Sequence, residues 1–417
     1  MLDIKVLRQN PEKIERSAKD KGVNVSVKQI LEIDSKLRGL DFMIQKLREE
    51  RNSLAHNLKG KPSESQIKRG KEIKEKLEKQ EKSAESLSQE LQTLLIKIPN
   101  PAKKDVRVGL NDTENEVLRK IGTPTKFPFT PKDHLTLGEN LDIIDVERAS
   151  KISGARFYFL KNDAAILEFA LRQLAFDFLI KEGFVPVVPP VLIKTEVMKG
   201  LGYMENGGDE DMYILDKDEL VLVGTSEQSI VSMHKDEIFK HDELPKRYVG
   251  FSTCFRREAG SYGKDTRGIL RAHQFDKIEM VSFVKEGDDD KEHEYLLSVE
   301  EKLLQALEIP YQVVKMCSGD LGFPAARKYD LEAWIPSENK YREVTSTSTT
   351  TDFQSRRLNI KYQEGNEKKY VNILNGTAFS TRPIIAILEN YQKQDGSVEI
   401  PKVLQKIIGK SVIKKQK

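Results

Sequence analysis

The sequence STCFRREAGSYGKDTRGILRAHQFDKIEMVSFV, which spans residues 252–284, decides the fold predicted for most of this chain. β-Branched and aromatic residues flank a central loop that contains glycines and basic residues, and this pattern predicts two β-strands joined as a hairpin. Residues two apart on a strand share a face, so Arg256 and Glu258 should point the same way, as should Phe275 and Glu279. The hairpin would therefore gather a cation, an aromatic ring and carboxylates, a combination suited to a nucleotide and a small polar partner.

A charged, solvated hairpin with a flexible tip would contain the same residue types. Their order, however, resembles motif 2 of the class II aminoacyl-tRNA synthetases: Phe255-Arg256-x-Glu258, a basic glycine-rich loop that includes Gly260, Gly263 and Lys264, and then Gly268-x-x-Arg271-x-His273-Gln274-Phe275. The continuation Asp276-Lys277-x-Glu279 is similar to the form found in the seryl-tRNA synthetase family. The resemblance implies an α+β protein, whose catalytic domain is an antiparallel β-sheet flanked by helices.

Length and composition are compatible with this interpretation. The 417 residues can form two or more domains, and a net charge of only +3 restricts any RNA contact to local basic patches. Two cysteines, Cys254 and Cys317, can build neither a disulfide framework nor a four-cysteine zinc site, so no zinc is expected. The low cysteine content, an N-terminus without an apolar signal segment and the lack of a long apolar run predict a cytoplasmic protein that binds no membrane.

Apolar residues recur at steps of three and four in two stretches separated by the polar sequence Gly60–Ser65, which predicts an antiparallel α-helical coiled-coil arm over about residues 28–99. The seams are Ile30, Ile33, Leu37, Leu40, Ile44 and Leu47, and then Ile73, Leu77, Ala84, Leu87, Leu91, Leu94 and Ile98. The arm is either a structural or dimerisation coil or an RNA-binding element. The second interpretation is favoured by basic residues that accumulate toward the tip, namely Lys46, Arg48, Arg51, Lys59, Lys61, Lys68, Arg69, Lys71, Lys74 and Lys76.

The resemblance to seryl-tRNA synthetases assigns this arm to a tRNA-binding domain over residues 1–105, which would hold the variable arm of tRNA(Ser), with tRNA(Sec) as a further candidate. A class II catalytic domain would follow over residues 106–417. Its motif 1, about residues 165–190, implies a homodimer; motif 2 would cover about 248–284 and motif 3 about 371–392. Residues 99–135 are predicted to form a loop-rich linker, and the basic tail 410–417 is predicted to be mobile. His134-Leu-Thr-Leu-Gly138-Glu139 is similar to the start of the family's catalytic domain.

The family activity is the formation of seryl-adenylate and pyrophosphate from L-serine and ATP with Mg²⁺, followed by transfer of serine to the 3′ end of tRNA. The resemblance gives Arg256 and Arg382 catalytic roles and makes Glu343 and Ser346 the magnesium ligands. Serine-binding residues would be Thr225, Ser226, Glu227, Glu279, Asn375 and Thr377. ATP-binding residues would be Arg256, Arg257, Glu258, Ala272, Phe275, Glu343, Val344, Thr345, Ser346 and Arg382.

Simpler interpretations of some of these residues remain open. Thr225 and Glu227 follow a strand and precede a helix, so they could be only a helix cap and a first-turn carboxylate. Arg257 stands where the family usually has serine. Two other functions are alternatives. The long N-terminal arm argues against a class II paralogue that activates a small amino acid for a carrier protein, and the motif arginines and pocket carboxylates argue against a non-catalytic coiled-coil RNA-binding protein.

Overall fold

The computed structural model describes residues 2–57, 60–259 and 267–415 and divides into two compact units, Met1–Pro99 and Asn100–Lys417. The described part of the first unit is helical. Its helices are α1 (Ile4–Gln9), α2 (Pro11–Asp20), α3 (Val27–His56) and α4 (Glu64–Leu95). Pro11 is the first residue of α2, where its missing N–H costs nothing.

Helices α3 and α4 pack along the predicted seams. Their buried residues include Ile30, Ile33 and Ile44 on α3 and Ile73, Leu77, Ala84, Leu91 and Leu95 on α4. Arg48 pairs with Glu81, and Arg69 pairs with Glu50, so residue numbers rise along one helix as they fall along the other. The predicted antiparallel coiled-coil arm is therefore confirmed, although α4 ends at Leu95, before the predicted stop at Pro99.

An eight-stranded sheet forms the centre of the second unit. Its strands are β1 (Glu116–Ile121), β2 (Val185–Val187), β3 (Lys246–Phe255), β4 (Gln274–Val284), β5 (Tyr311–Lys315), β6 (Arg327–Ile335), β7 (Lys340–Thr351) and β8 (Asn372–Ser380). Across the sheet the order is β1-β5-β6-β7-β8-β4-β3-β2, and only the β2–β3 pair is parallel. The predicted antiparallel sheet is confirmed, and the hairpin around which the prediction was made is β3–β4.

Helices and short strands cover this sheet. The helices are α5 (His134–Asn140), α6 (Val146–Ser153), α7 (Asn162–Lys181), α8 (Thr195–Leu201), α9 (Ser226–Ser232), α10 (Asp289–Ala306), α11 (Phe353–Leu358), α12 (Arg382–Asn390) and α13 (Lys402–Ile408). Single 3-10 turns lie at Asp112–Glu114, Gly208–Asp211, His241–Glu243 and Ser318–Asp320. Short strands form four smaller sheets: Ile144–Asp145 with Phe159–Leu160; Leu192–Lys194, Leu220–Leu222 and Ile214–Leu215; Ile238–Phe239, Lys361–Glu364 and Glu367–Tyr370; and Val398–Glu399 with Val412–Ile413.

Strand β4 shows how the sheet separates its two faces. Its even-numbered residues Ile278 and Met280 belong to a large core that also contains residues of α7, α10 and α12. Its odd-numbered residues face the other way. Val281 and Phe283 enter a second core with residues of α8, α9 and α11, while residues 275–279 of that face remain free to line a cavity. One face of β4 therefore packs in the core, while the other face packs at one end of the strand and lines the cavity at the other.

Two of the register irregularities in this sheet, one on β7 and one on β8, bear on the cavity. On β7, Thr345 pairs with Leu331 but Glu343 pairs with Glu332, so Val344 is an extra residue. On β8, Phe379 and Thr377 pair with consecutive residues of β4, so Ala378 is extra. Such bulges bring residues three apart onto one face.

Three local predictions need correction. Residues 116–121 were predicted to lie in a linker but form edge strand β1, which pairs with β5. Arg256 and Glu258 were predicted on a strand, yet β3 ends at Phe255 and Glu258 has a φ of 54°. The tail was predicted to be mobile, but Val412–Ile413 pairs with Val398–Glu399, and Lys410 contacts Asp163. Lys59 and the loop residues Gly260, Gly263 and Lys264 lie outside the described residues. In the described ranges, no helix has the length and apolarity needed to cross a bilayer.

Candidate active site

A cavity of about 530 Å³ opens on the face of the sheet that bears the odd-numbered residues of β4. Most of the predicted site residues line it: Thr225, Glu227, Arg256, Glu258, Ala272, Phe275, Glu279, Glu343, Val344, Thr345, Ser346, Asn375, Thr377 and Arg382. These residues come from five separate stretches of the chain, and their assembly in one cavity could not be read from spacing alone. A pocket of this size can hold a nucleotide and a small second ligand.

Arg256 directly follows the last residue of β3, and two interactions fix the position of its side chain. Its guanidinium donates to the carbonyl of Gly224, with Nη2 at 3.1 Å and Nε at 3.3 Å. Its guanidinium carbon also lies 5.3 Å from the centre of the Phe275 ring. The backbone N–H of Arg256 donates to the His273 carbonyl at 3.0 Å, which extends the hairpin beyond the strand.

Arg382, the first residue of α12, approaches the same cavity from motif 3. Its Nη1 lies 2.9 Å from Glu343 Oε2 on β7, and its Nε donates to the Leu270 carbonyl at 3.4 Å. Burial by itself would raise the pKa of Glu343, but the charges of Arg382, Lys328 and Arg256 outweigh it and lower that pKa to about 2. Glu343 is therefore an anion at neutral pH, ready to bind a cation.

The bulge at Val344 decides which residues accompany Glu343. Because Val344 is extra, Glu343 and Ser346 face the cavity together although they are three residues apart. Thr345 borders the cavity, but its hydroxyl donates to Glu300 of α10 at 3.2 Å, on the other side of the sheet. The two predicted magnesium ligands, Glu343 and Ser346, thus lie on the same face of β7.

The opposite end of the cavity is acidic. Thr225 is the N-cap of α9, and its hydroxyl accepts from the N–H of Glu227 at 3.3 Å. The Glu227 carboxylate accepts hydrogen bonds from the Tyr203 hydroxyl at 2.9 Å and from Gln354 Nε2 at 3.1 Å. Burial raises the pKa of Glu227, and the nearby Glu279 charge raises it further.

Glu279 projects from β4 into the same acidic region. Lys277 Nζ lies 2.6 Å from Glu279 Oε2, and the Thr377 hydroxyl donates to that oxygen at 3.0 Å. Both partners also line the cavity, as does Asn375, so this ion pair belongs to the site. Gly250, the partner of Glu279 on β3, lets α9 come close, because a Cβ there would lie 2.3 Å from Ile230 Cδ1.

Two predicted site residues do not line the cavity. Ser226 is fully buried, and its hydroxyl donates to the Gly250 carbonyl at 3.4 Å. Arg257 lies over the Tyr213 ring, with its guanidinium carbon 5.4 Å from the ring centre. Ser226 is therefore a packing residue beneath the site, and the Arg257 side chain points in a different direction from that of Arg256.

Sequence reasoning gave no role to several residues that the structure brings into the site. Lys277 was inside the quoted motif, and its position two residues from Glu279 was the available signal. Arg271, whose Nη1 lies 3.3 Å from Glu258 Oε2, was also inside it. Tyr203 and Gln354 lie 24 and 127 residues from Glu227, and no local pattern links them to it.

Comparison with known proteins agrees with this architecture. A family described as seryl-tRNA synthetase N-terminal domain matches residues 1–102, and one described as tRNA synthetase class II core domain (G, H, P, S and T) matches residues 212–391. The serine–tRNA ligase of Thermobifida fusca is 46% identical over 99% of both chains. The chain belongs to the seryl-tRNA synthetase family.

Solved structures of other seryl-tRNA synthetases have the same fold. The enzyme from Pyrococcus horikoshii, crystallised with ATP, is 38% identical, with a TM-score of 0.94 over the whole of both chains. The cytoplasmic enzyme from Naegleria fowleri, in complex with AMP, is 33% identical with a TM-score of 0.90. The present chain is thus an ATP-dependent serine–tRNA ligase with a class II core, and neither alternative function is favoured.

Proposed function

We propose that this cavity binds ATP and L-serine side by side and that seryl-adenylate forms there. The supporting observation is that Arg256 and Arg382 line the same cavity as the acidic group of Glu227 and Glu279. In the reaction an oxygen of the serine carboxylate attacks the α-phosphorus of ATP. The bond from that phosphorus to the bridging oxygen breaks, and pyrophosphate leaves with the electron pair. The nucleophile is already ionised, so positioning and charge neutralisation supply the catalysis.

The nucleotide would lie along the β4 side of the cavity. Arg256 is suited to the α-phosphate, where negative charge grows in the transition state, and Phe275 beneath it offers an apolar ring to adenine. Glu258 and the backbone near Ala272 would contact the base. Arg382 would meet the terminal phosphates, with its guanidinium transferred from the Glu343 carboxylate to phosphate oxygens.

Magnesium suits the residues that face these phosphates. Glu343 supplies an anionic oxygen and Ser346 a hydroxyl, and magnesium is commonly held by few protein ligands together with phosphate and water oxygens. Bound there, the ion would neutralise charge on the phosphates. Val344 and Thr345 would border the nucleotide through their backbone.

Serine would occupy the acidic end. Its ammonium group needs acceptors and negative charge, which Thr225 and Glu227 provide, while Glu279, Asn375 and Thr377 surround the place of its hydroxyl. Without that hydroxyl, alanine would leave buried polar groups unpaired, so we expect discrimination by a factor on the order of 10⁴. Lys277 would neutralise the charge of Glu279, so that one net negative charge remains in the pocket to pair with the serine ammonium group.

The assignment of tRNA(Ser) as the second substrate, with tRNA(Sec) as a further candidate, is supported by the coiled-coil arm. Exposed lysines Lys61, Lys68, Lys71 and Lys76 have no ion-pair partner among the described residues and are available to phosphates. We propose residues 1–105 as the tRNA-binding domain and 106–417 as the catalytic domain. We also propose that the enzyme acts in the cytoplasm.

A homodimer through motif 1 is supported by exposed apolar side chains on α7 and around β2. Phe169 is 63% exposed, Val185 51% and Val188 80%. Phe169 lies on α7, Val185 is the first residue of β2, and Val188 directly follows β2, which is the parallel strand at the edge of the sheet. Exposed apolar patches of this kind commonly mark protein interfaces.

The experiment that tests the function is pyrophosphate exchange into ATP with each of the twenty amino acids, followed by serine transfer to purified tRNA(Ser) and tRNA(Sec). We expect exchange with serine and little with alanine, and transfer to tRNA(Ser). Exchange without transfer to either tRNA would contradict the proposed partners, and no serine-dependent exchange would contradict the site. Sedimentation of wild type and Phe169→Glu tests the dimer, which the variant should weaken.

A further inference from the structure

His134 is a residue of the predicted motif His134–Glu139 to which the reaction gives no role. It is the first residue of α5, and its side chain is only 12% exposed. Its Nδ1 lies 3.1 Å from Glu389 Oε1, and its Nε2 lies 3.3 Å from the backbone nitrogen of Ile269. A backbone N–H can only donate, so Nε2 accepts, and the ring proton is on Nδ1, from which it is donated to Glu389.

Glu389 gives this ring a fixed support. It is fully buried on α12, the helix that begins with Arg382. Besides the imidazole, its carboxylate accepts the backbone N–H of His134 and that of Ser337, each at 3.0 Å. The His134 ring therefore connects α12, the helix of motif 3, to the segment of motif 2 that contains Ile269.

The backbone of that segment lies directly against the ring. Gly268 has a φ of 83°, and a Cβ at this position would lie 2.2 Å from His134 Nε2. The next residues, Ile269, Leu270 and Arg271, line the cavity. The Leu270 carbonyl accepts from Arg382 Nε at 3.4 Å, so the same backbone also orients the motif 3 arginine.

We propose that His134 is a positioning residue for ATP: its Nε2 fixes the backbone of residues 268–271 against the nucleotide, while Nδ1 anchors the ring to motif 3. This inference rests on the proposed placement of ATP along β4. The serine-binding groups lie on α9, β4 and β8 and make no contact with the ring in the described structure. His134 should therefore influence ATP binding far more than serine binding.

Three substitutions at this position distinguish the roles of the two ring nitrogens. His134→Gln can place an acceptor near the position of Nε2, His134→Asn can retain only the donor near Nδ1, and His134→Ala retains neither. In serine-dependent pyrophosphate exchange, His134→Ala and His134→Asn should raise the KM for ATP roughly three- to tenfold, the range expected for one lost hydrogen bond, with the KM for serine unchanged. His134→Gln should recover most of the ATP affinity.

A residue that only anchored α5 to α12 would behave differently. In that case His134→Asn would retain ATP affinity and His134→Gln would not, or the KM values for ATP and serine would rise together. Either outcome overturns the proposal. Gly268→Ala provides a second route that leaves the ring intact: it should raise the KM for ATP, and part of that effect should vanish in the His134→Ala background because the clashing ring is gone. Additive effects would contradict the contact.

Direct calorimetric binding of ATP to the free enzyme keeps this test separate from that of the function. If the wild type failed to exchange pyrophosphate with serine, the proposed function would fail, yet ATP affinities of the variants could still be compared. If exchange proceeds normally and His134→Ala, His134→Asn and His134→Gln all bind ATP like the wild type, His134 has no positioning role. Thermal unfolding identifies any variant that does not fold. If the His134 variants do not fold, the ATP affinity of Gly268→Ala is compared with that of the wild type instead.

Discussion

Thr377 Oγ1 donates a hydrogen bond to Glu279 Oε2 at 3.0 Å, and this contact joins motif 3 to motif 2 across the pair of strands β8 and β4. Lys277 lies 2.6 Å from the same oxygen. One carboxylate thus receives a hydroxyl and an ammonium group from within the site, and its other oxygen is left for a ligand. This arrangement supports the proposal that Glu279 recognises the serine hydroxyl.

Replacing Glu279 should therefore affect serine selectively. Glu279→Ala leaves the Lys277 charge buried and unpaired, so we expect the KM for serine to rise at least about 30-fold, with the KM for ATP changed by less than threefold. Pyrophosphate exchange at varied serine and ATP concentrations measures both constants. Thr377→Val is the matched control for the loss of one neutral hydrogen bond, for which roughly fivefold is expected. Equal changes in the two KM values would remove Glu279 from the serine site.

Adjacent arginines provide a matched pair for the phosphate site. Arg256→Ala should lower kcat for pyrophosphate exchange roughly 10²–10³-fold, because it removes a fixed donor from the developing charge. Arg257→Ala should change kcat by less than about threefold, since its side chain lies over Tyr213 outside the cavity. Comparable losses in both variants would show that the direction of the side chain does not matter, contrary to the assignment.

Serine binding should weaken at acidic pH, because it requires the ionised form of Glu227. Its pKa is raised by burial and by Glu279, so protonation begins at a higher pH than for an ordinary glutamate. The protonated form cannot hold an ammonium group, and we expect kcat/KM for serine to fall as pH decreases through this raised pKa while the KM for ATP changes less. Measuring both across pH 5–8 tests this. A profile for serine that is no more acid-sensitive than that for ATP would contradict the role.

The same pKa shift predicts a stability effect of opposite sense. A carboxyl whose pKa is higher in the folded than in the unfolded state favours folding only while protonated, so its contribution to stability decreases as pH rises above the unfolded value. Glu227→Gln should therefore melt about 1–2 °C higher than the wild type at neutral pH and show no such gain below the unfolded pKa. Calorimetry at the two pH values, with Glu279→Gln as a comparison variant, measures the difference.

Magnesium dependence should follow Glu343. The neighbouring cations keep its pKa near 2, so it is ionised throughout the neutral range. We expect Glu343→Gln to raise the magnesium concentration for half-maximal exchange about tenfold or more, and Ser346→Ala to raise it by a smaller factor. Ser348→Ala is the matched control, because this residue lines the cavity from the same strand without a predicted ligand role. Identical magnesium curves for Glu343→Gln and the wild type would exclude the carboxylate as a ligand.

Lysines of the arm should affect tRNA and not adenylate formation. Replacing Lys68 and Lys71 together by alanine should raise the KM for tRNA(Ser) about tenfold and reduce the salt dependence of binding, because two phosphate contacts are lost. Lys74→Ala is the control on the same helix, since Lys74 already lies 3.8 Å from Glu78. Pyrophosphate exchange should be unchanged in all of them. A double variant with the wild-type KM for tRNA would place the tRNA contact elsewhere.

The coiled-coil seams and the β3–β4 hairpin were predictable because each repeats a local pattern, seven residues in one case and two in the other. Edge strand β1 was missed because it lies among prolines and polar residues, and only its pairing with β5 makes it a strand. Contacts of Glu227 with Tyr203 and Gln354 depend on tertiary folding alone. Ser226 was included because it lies between two pocket residues, yet the first turn of α9 points it into the core.

The bulges also have a consequence for how this chain tolerates change in length. Deleting Val344 would retain every ionisable group of the protein, but it would restore alternation between Glu343 and Ser346 and turn one of them toward α10. Loss of Ala378 would likewise rotate either Thr377 or the strand end that leads to Arg382. The register of each strand therefore determines which side chains enter the cavity. A deletion of one residue would abolish activity although every residue of the site was still present.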